Sequence, residues 1–128
     1  MILVDTDILI DILWRYKPAL DWLETLDEII AITYFTAMEL IQGCENKSEI
    51  RQTIKFINQF KVLWLSEENA EYAVKIFAEN RLKNNFGMID VFIAQIAIES
   101  NLVLNTFNIK HYQIIPSLKT NQPYLKNL

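Results

Sequence analysis

The chain has 128 residues, 52% of them hydrophobic, a net charge of −4 and a single cysteine, Cys44. That length supports one domain with a real core, and the slight apolar surplus is read as oligomer or partner surface. The lone cysteine excludes an internal disulfide and a Cys-pair metal site, and the acidic balance argues against strong nonspecific duplex binding through a basic surface.

The chain opens on Ile2-Leu3-Val4, a short, wholly apolar, partly β-branched run. It reads as a strand buried on both faces, the pattern of a parallel sheet covered by helices. Asp5 arrives where that strand ends, at the carboxyl edge where open α/β sheets hold ligands. Thr6 and Asp7 are good helix caps, and the first helix is predicted to run to about Trp14. Lys17-Pro18 reopens a helix with Leu20, Leu23 and Leu26 on its apolar face. Glu28 to Ile32 reads as a second strand. Thr33 or Thr36 caps the next helix, which runs through Met38, Glu39, Leu40 and Ile41 to a stop at Gly43. A polar helix over Ser48 to Phe60 and a third strand over Val62 to Leu65 follow. Ser66, Glu67 and Glu68 begin a helix whose buried stripe is Ala70, Ala73, Val74 and Phe77.

Asn84 to Gly87 reads as a turn, and Met88 to Glu99 as a buried, almost wholly apolar helix. Leu102 to Leu104 reads as a fourth strand and Tyr112 to Ile115 as a fifth. From Pro116 the sequence has little periodicity. Strands alternating with helices indicate one α/β domain over residues 1–128. Asp5, Asp7, Asp11, Asp90 and Gln95 break the longest apolar runs, so none is expected to span a membrane. The first residues carry acids where a signal peptide carries lysines, so the expectation is the cytoplasm.

Elimination narrows the chemistry. One histidine, His111, leaves no room for a multi-histidine metal site, and Gly43 and Gly87 alone make no phosphate loop or dinucleotide fingerprint. What remains is carboxylates in unusual places. Asp5 ends the first strand, although a helix cap explains it equally well. Glu39 sits between Met38 and Leu40 in an apolar helix, where the plain alternative is a solvated charge. Asp90 lies in the first turn of the most apolar helix, where a negative charge is favourable in any case. Ala94 and Ala97 share its face and leave room for another backbone. Asn108 follows the fourth strand, where an ordinary turn residue also fits. Gathered at one sheet edge, three acids at about 6 Å and an effective dielectric near 20 repel by on the order of 3 kcal/mol per pair before screening. Such a cluster needs a cation, and all-oxygen ligands favour Mg²⁺ or Mn²⁺ over zinc.

Four segments carry a resemblance: Val4-Asp5-Thr6-Asp7-Ile8-Leu9-Ile10-Asp11, Ala37-Met38-Glu39-Leu40-Ile41-Gln42-Gly43, Ile89-Asp90-Val91-Phe92-Ile93-Ala94 and Asn105-Thr106-Phe107-Asn108-Ile109-Lys110-His111-Tyr112. In order and spacing they resemble the successive motifs of PIN-domain nucleases, most closely the VapC toxins of bacterial toxin–antitoxin pairs. The resemblance reaches to about Leu118. It implies a three-layer α/β/α domain with a central parallel sheet of four or five strands. It also implies a Mg²⁺-dependent endoribonuclease in which a metal-activated water attacks RNA, a homodimer, and a cognate VapB-like antitoxin that blocks the site. Asp5, Glu39 and Asp90 match the family's metal-binding acids and Thr6 a hydroxyl near them. Asn108 stands where the family has a fourth acid, which leaves one negative charge fewer. A second acid sometimes found just before Asp90 is replaced by Met88 and Ile89.

Outside Asp5, Thr6, Glu39, Asp90 and Asn108 the expectations are more ordinary. Asp7 is expected to cap the first helix, and Asp11 to be solvated or paired with Arg15 at i+4. Lys47, Arg51 and Lys55 form a basic stripe expected to be solvated. Arg81 and Lys83 are candidate contacts to RNA phosphates, Thr106 is a supporting contact, and His111 is expected to be structural. Trp14, Trp22 and Trp64 are expected in the core or an interface. Two competing functions stay open: a phosphoacceptor signalling domain, which needs an aspartate at the end of a middle strand where this chain has Leu65-Ser66-Glu67, and a catalytically inactive PIN-fold binding module.

Overall fold

Ile2–Val4 forms the strand on which the fold is built, β1. The computed structural model describes residues 1–83 and 87–126. After β1 come α1 (Thr6–Leu13), α2 (Lys17–Glu24), β2 (Ile30–Thr33), α3 (Tyr34–Gln42), α4 (Lys47–Ile57) and β3 (Lys61–Leu63). Then follow α5 (Glu67–Asn80), α6 (Met88–Glu99), β4 (Leu104–Asn105), α7 (Ile109–Tyr112) and β5 (Thr120–Asn121). The strands pair in parallel in the order β3-β2-β1-β4-β5. Leu3 of β1 pairs with Ala31 on one side and Leu104 on the other. The chain leaves β1 toward β2 and β3, then crosses back to lay down β4 and β5. The gap between the ends of β1 and β4 is therefore the switch point where such sheets bind ligands.

Alternation along the strands feeds two layers. Leu3, Ala31 and Leu104 pack with Ala73 of α5 and with Val91, Ile93, Ala94, Ile96 and Ala97 of α6. Val4 and Ile32 point the other way and pack with Ile8, Leu9, Ile12, Ala19, Ala37, Leu40 and Ile57 of α1 to α4. This is the three-layer α/β/α arrangement with a parallel sheet. No described helix is long and apolar enough to cross a membrane.

Local chemistry sets most boundaries. The Thr33 hydroxyl accepts from the Thr36 amide at 3.1 Å to start α3, and Ser66 accepts from Asn69 at 3.2 Å to start α5. Gly43 caps the end of α3 with φ −76°, so its place there does not use the left-handed conformation. Two helices do end on left-handed residues. Arg15 (φ 58°) follows α1 and Asn101 (φ 53°) follows α6. At α1 the Arg15 amide donates to Ile12 O at 3.0 Å and the Tyr16 amide to Asp11 O at 2.9 Å. At α6 the Asn101 amide donates to Ile98 O and the Leu102 amide to Ala97 O, the same paired closure of a Schellman motif.

Several expectations are corrected. Tyr112 to Ile115 is not a strand: Tyr112 ends α7, and Tyr112 and Ile115, three apart, are both buried in the α5–α6 layer. Helical spacing there outweighs β-branched composition. The fifth strand is Thr120–Asn121, a polar edge strand whose Asn121 amide group donates to the Asn105 side chain at 2.9 Å. Asp11 is neither solvated nor paired with Arg15. It is half-buried and bound by Tyr124 and Lys126, while the left-handed turn carries Arg15 away as an exposed residue. Of the three tryptophans expected in the core or an interface, Trp22 packs in the α1–α4 layer, while Trp14 is 82% exposed and Trp64 56%, which excludes the core for those two. Lys47, Arg51 and Lys55 are exposed on α4 as expected. The turn expected from Asn84 to Gly87 falls at 84–86 outside the described residues.

Candidate functional site

Asp5 leaves β1 at the switch point. Its own amide donates to Asn105 O at 2.9 Å, which continues the pairing with β4 for one more residue. Its side chain caps α1, with Oδ1 accepting from the Thr6 amide at 2.8 Å. Oδ2 turns inward and accepts from the Thr106 hydroxyl at 2.8 Å and the Tyr112 hydroxyl at 3.2 Å. The helix-cap and site readings of Asp5 are thus one arrangement. The residue is 7% exposed, and burial, reinforced by the charge of Asp7, pushes its carboxyl up to about 7.

Asp7, expected as a cap, does more. Its Oδ1 accepts from the Ile8 amide at 2.8 Å, and its Oδ2 crosses to accept from the Phe107 amide at 3.0 Å. Burial raises its carboxyl too, opposed by those amides and by the charge of Lys126. Glu39 comes from the exposed side of α3 but is not merely solvated: the Thr6 hydroxyl donates to its Oε1 at 2.7 Å, and Thr6 lies 3.0 Å from the Thr36 hydroxyl. Asp90 lies in the first turn of α6, behind Gly87, where the positive helix end favours it. The Tyr112 hydroxyl stands 3.4 Å from Asp90 Oδ1, so one phenol bridges Asp5 and Asp90. Burial and the two acids raise the Tyr112 phenol far above its usual range, so it stays protonated and donates. A side chain at position 87 would meet Asp90 Oδ2 at 3.3 Å, which favours glycine there.

Asn108 begins α7 without capping it. Its amide nitrogen donates to the Thr106 hydroxyl at 3.0 Å, and its side-chain nitrogen lies 2.9 Å from His111 Nδ1. The same ring nitrogen stands 3.5 Å from Asp90 Oδ2. With its proton on Nε2, His111 accepts at Nδ1 from the Asn108 side chain.

Asp5, Thr6, Asp7, Glu39, Asp90, Phe107 and Asn108 line one open cavity of about 350 Å³. Thr106 lies behind it, fully buried. Arg81 ends α5 as an exposed residue and does not line the cavity. Sequence reasoning missed Asp7 as a lining acid and Tyr112 as the phenol beneath the site. The only local signal for Asp7 was the pair of aspartates two residues apart, and that spacing also reads as capping. Among the described residues no three Asp, Glu, His or Cys side chains sit close enough to form a ready metal cage. The four acids instead face a shared space.

Comparison with known proteins agrees with this arrangement. The family model "PIN domain" matches residues 2–115. Ribonuclease VapC10 of Mycobacterium tuberculosis is 34% identical over 122 residues, spanning 93% of this chain and 91% of that protein. A solved toxin–antitoxin complex from Klebsiella pneumoniae contains a chain with TM-score 0.80 and 28% identity, covering 98% of this chain and 100% of that one. VapBC2 from Rickettsia felis, bound to a promoter DNA fragment, gives TM-score 0.79 at 26% identity over 94% of this chain and 98% of that one. A fold with its acids at the β1–β4 switch point, a family match over most of the chain and a relative covered nearly end to end place this chain in the PIN-domain family, where it is most similar to the VapC type.

Proposed function

We propose that this protein is a Mg²⁺-dependent endoribonuclease, the toxin of a VapBC-type pair, acting in the cytoplasm on RNA phosphodiester bonds. The observation that carries the reading is the cavity itself: Asp5, Asp7, Glu39 and Asp90 line it from three separate segments, with no lysine or arginine among its described lining residues. Their mutual repulsion asks for a divalent cation, and their oxygens suit Mg²⁺ or Mn²⁺. Mg²⁺ keeps several waters and takes only one or two carboxylates, so acids spread around an open space fit it better than a closed cage would. When bound, the ion acidifies water and neutralises phosphate charge.

The chain's own residues do the orienting. Thr6, Thr106 and Tyr112 fix Asp5, so Asp5 is the anchored ligand. Thr6 holds Glu39, and Tyr112 ties Asp90 to the same centre. Asn108 offers a neutral amide that orients water or a phosphate oxygen. Attack on phosphorus in line with the departing 3′ oxygen is the reaction this arrangement serves.

Two partners belong to the reading. The relatives solved as toxin–antitoxin complexes support an antitoxin. A groove of about 580 Å³ lined by Ile10, Leu13, Trp14 and Leu40 shares Glu39 with the cavity, so a protein lying in it would cover the site. A second copy of the chain is supported by an exposed aromatic face, where Tyr34 and Trp64 meet edge to face at 5.6 Å. The phosphoacceptor alternative has no such support: the third strand, which that reading needs as a middle strand ending in an aspartate, is an edge strand that ends at Leu63 and is followed by Trp64, Leu65 and Ser66.

The test is an RNA panel incubated with Mg²⁺ or with EDTA, comparing wild type with Asp5→Asn. Cleavage is expected only for wild type with Mg²⁺. Cleavage that survives chelation or the substitution overturns the reading, and covalent labelling by acetyl phosphate at an aspartate would replace it.

A further inference from the structure

Phe107 serves the cavity twice: it is one of the lining residues, and its amide donates to Asp7 Oδ2 at 3.0 Å. It stands in the loop between β4 and α7, between Thr106, whose amide still donates to Asn121 O at 3.0 Å, and Asn108, whose amide donates to the Thr106 hydroxyl at 3.0 Å. From the outer side two residues beyond β5 close on it. The Tyr124 ring meets the Phe107 ring edge to face at 4.8 Å, and Lys126 Nζ sits 4.3 Å from its centroid. The same two side chains converge on one oxygen of Asp11. The Tyr124 hydroxyl donates to Asp11 Oδ2 at 2.8 Å, and Lys126 Nζ pairs with it at 3.1 Å. Tyr124 is further backed by Tyr16 at 6.2 Å and Trp22 at 6.1 Å. Thus α1, the β4–α7 loop and the segment after β5 are joined at one point just behind the acids.

We propose that Tyr124 and Lys126 are positioning residues of the acid site: they clamp Phe107 against the end of α1, and the Phe107 amide holds Asp7 facing the cavity. Asp11 is the fixed post of this brace, one turn along α1 from Asp7. A bond from an amide to a carboxylate is strong only while its geometry is kept, and the hold on the Phe107 ring adds to the backbone bonds of Thr106 and Asn108 in keeping it. Without the clamp, Asp7 loses its cross-loop donor and is held only through Oδ1 by the Ile8 amide. The consequence for cleavage rests on the nuclease reading; the consequence for the Phe107 amide does not.

The test uses Lys126→Met and Tyr124→Leu, with Lys126→Arg as the conservative replacement and Tyr124→Phe keeping the ring while losing the bond to Asp11. In metal-free protein, exchange of the Phe107 amide with deuterium is expected to quicken about tenfold in Lys126→Met and Tyr124→Leu. Exchange of the Asp5 amide, bonded to Asn105 O across the sheet, is expected to stay unchanged. Mn²⁺ binding, measured by direct titration, should weaken several-fold in Tyr124→Leu, which opens the clamp without removing the Lys126 charge near Asp7. Cleavage should lose about tenfold in kcat with little change in KM, as misplacement rather than lost substrate contact produces. Lys126→Arg should restore all three, and Tyr124→Phe should fall between. Equal acceleration of the Phe107 and Asp5 amides would mean general destabilisation and overturn the proposal. So would an unchanged Phe107 amide, or a loss confined to KM, which would make Lys126 a phosphate contact. If wild type cleaves no RNA the nuclease reading fails, and the amide and Mn²⁺ measurements still decide the brace. If Tyr124→Leu fails to fold, Lys126→Met and Tyr124→Phe decide it.

Discussion

The Asp5 carboxyl sits near 7 in the folded chain against 3.8 when free, with burial as the main cause and the charge of Asp7 next. A raised acid has a definite sign in stability. Well below 3.8 it is protonated in both states and costs nothing; between 3.8 and about 7 only the folded chain keeps the proton, so stability falls as pH rises through that window. The loss over the whole window is on the order of 4 kcal/mol. In EDTA, wild type is expected to melt several degrees higher at pH 5 than at pH 8, and Asp5→Asn to show a much smaller difference. A wild-type melting temperature that rises with pH over that range would contradict the burial account of Asp5. Asp5, Glu39, Asp90 and Asn108 were legible in the sequence because each is polar where its neighbours are apolar or where a strand ends. Tyr112 was not, since its role depends on an aspartate more than a hundred residues earlier, and nothing local records that contact.

Among the elements, those with strong local signals stand where the sequence puts them. α6 runs from Met88 to Glu99 as read, α3 starts at Thr33 and α5 at Ser66. The edge of the sheet was illegible. β5 is two polar residues whose place is set by pairing with β4, a tertiary choice that composition does not carry. The end of α1 near Trp14 was read correctly, but the Asp11–Arg15 pair was not: an i+4 pair presumes that the helix continues to Arg15, and it stops at Leu13 with Trp14 as its cap. Arg15 now holds φ 58°, a conformation that costs a side chain with a Cβ about 1 kcal/mol relative to glycine. Arg15→Gly is therefore expected to raise Tm by about 2–5 °C at this size, partly offset by the freer unfolded chain. Thermal melts by circular dichroism measure it, and a lower Tm would mean that the Arg15 side chain stabilises more than its backbone costs.

For the whole molecule, the two apolar layers share β1, since Leu3 feeds one and Val4 the other. Neither layer can be lost without freeing the strand that carries Asp5. We therefore propose that residues 1–128 behave as one cooperative unit, and two tryptophans can report on it. Trp22 packs in the α1–α4 layer, while Trp64 stacks at 5.0 Å on Phe35, which belongs to the other. Variants that keep only Trp22 or only Trp64, with the other tryptophans changed to phenylalanine, are each expected to unfold in one transition whose fluorescence midpoint coincides with that variant's circular dichroism midpoint. A fluorescence midpoint several degrees from the backbone midpoint in either variant would mean that the layers melt separately.

The pairing of β1 with β4 also sets an order in time. The hydroxyl that fixes Asp5 lies at Thr106, 101 residues later in the chain, and the amide that holds Asp7 lies at Phe107, 100 residues later. While the chain is being made, its first strand, first helix and first two acids emerge long before the partners that shape them. The growing chain therefore carries the acids but not the cavity, since β4 must first leave the ribosome and slot in beside β1. Contacts this distant in sequence form slowly. On the nuclease reading proposed above, the chain would thus be unable to cleave the messenger being read until Thr106 and Phe107 have emerged.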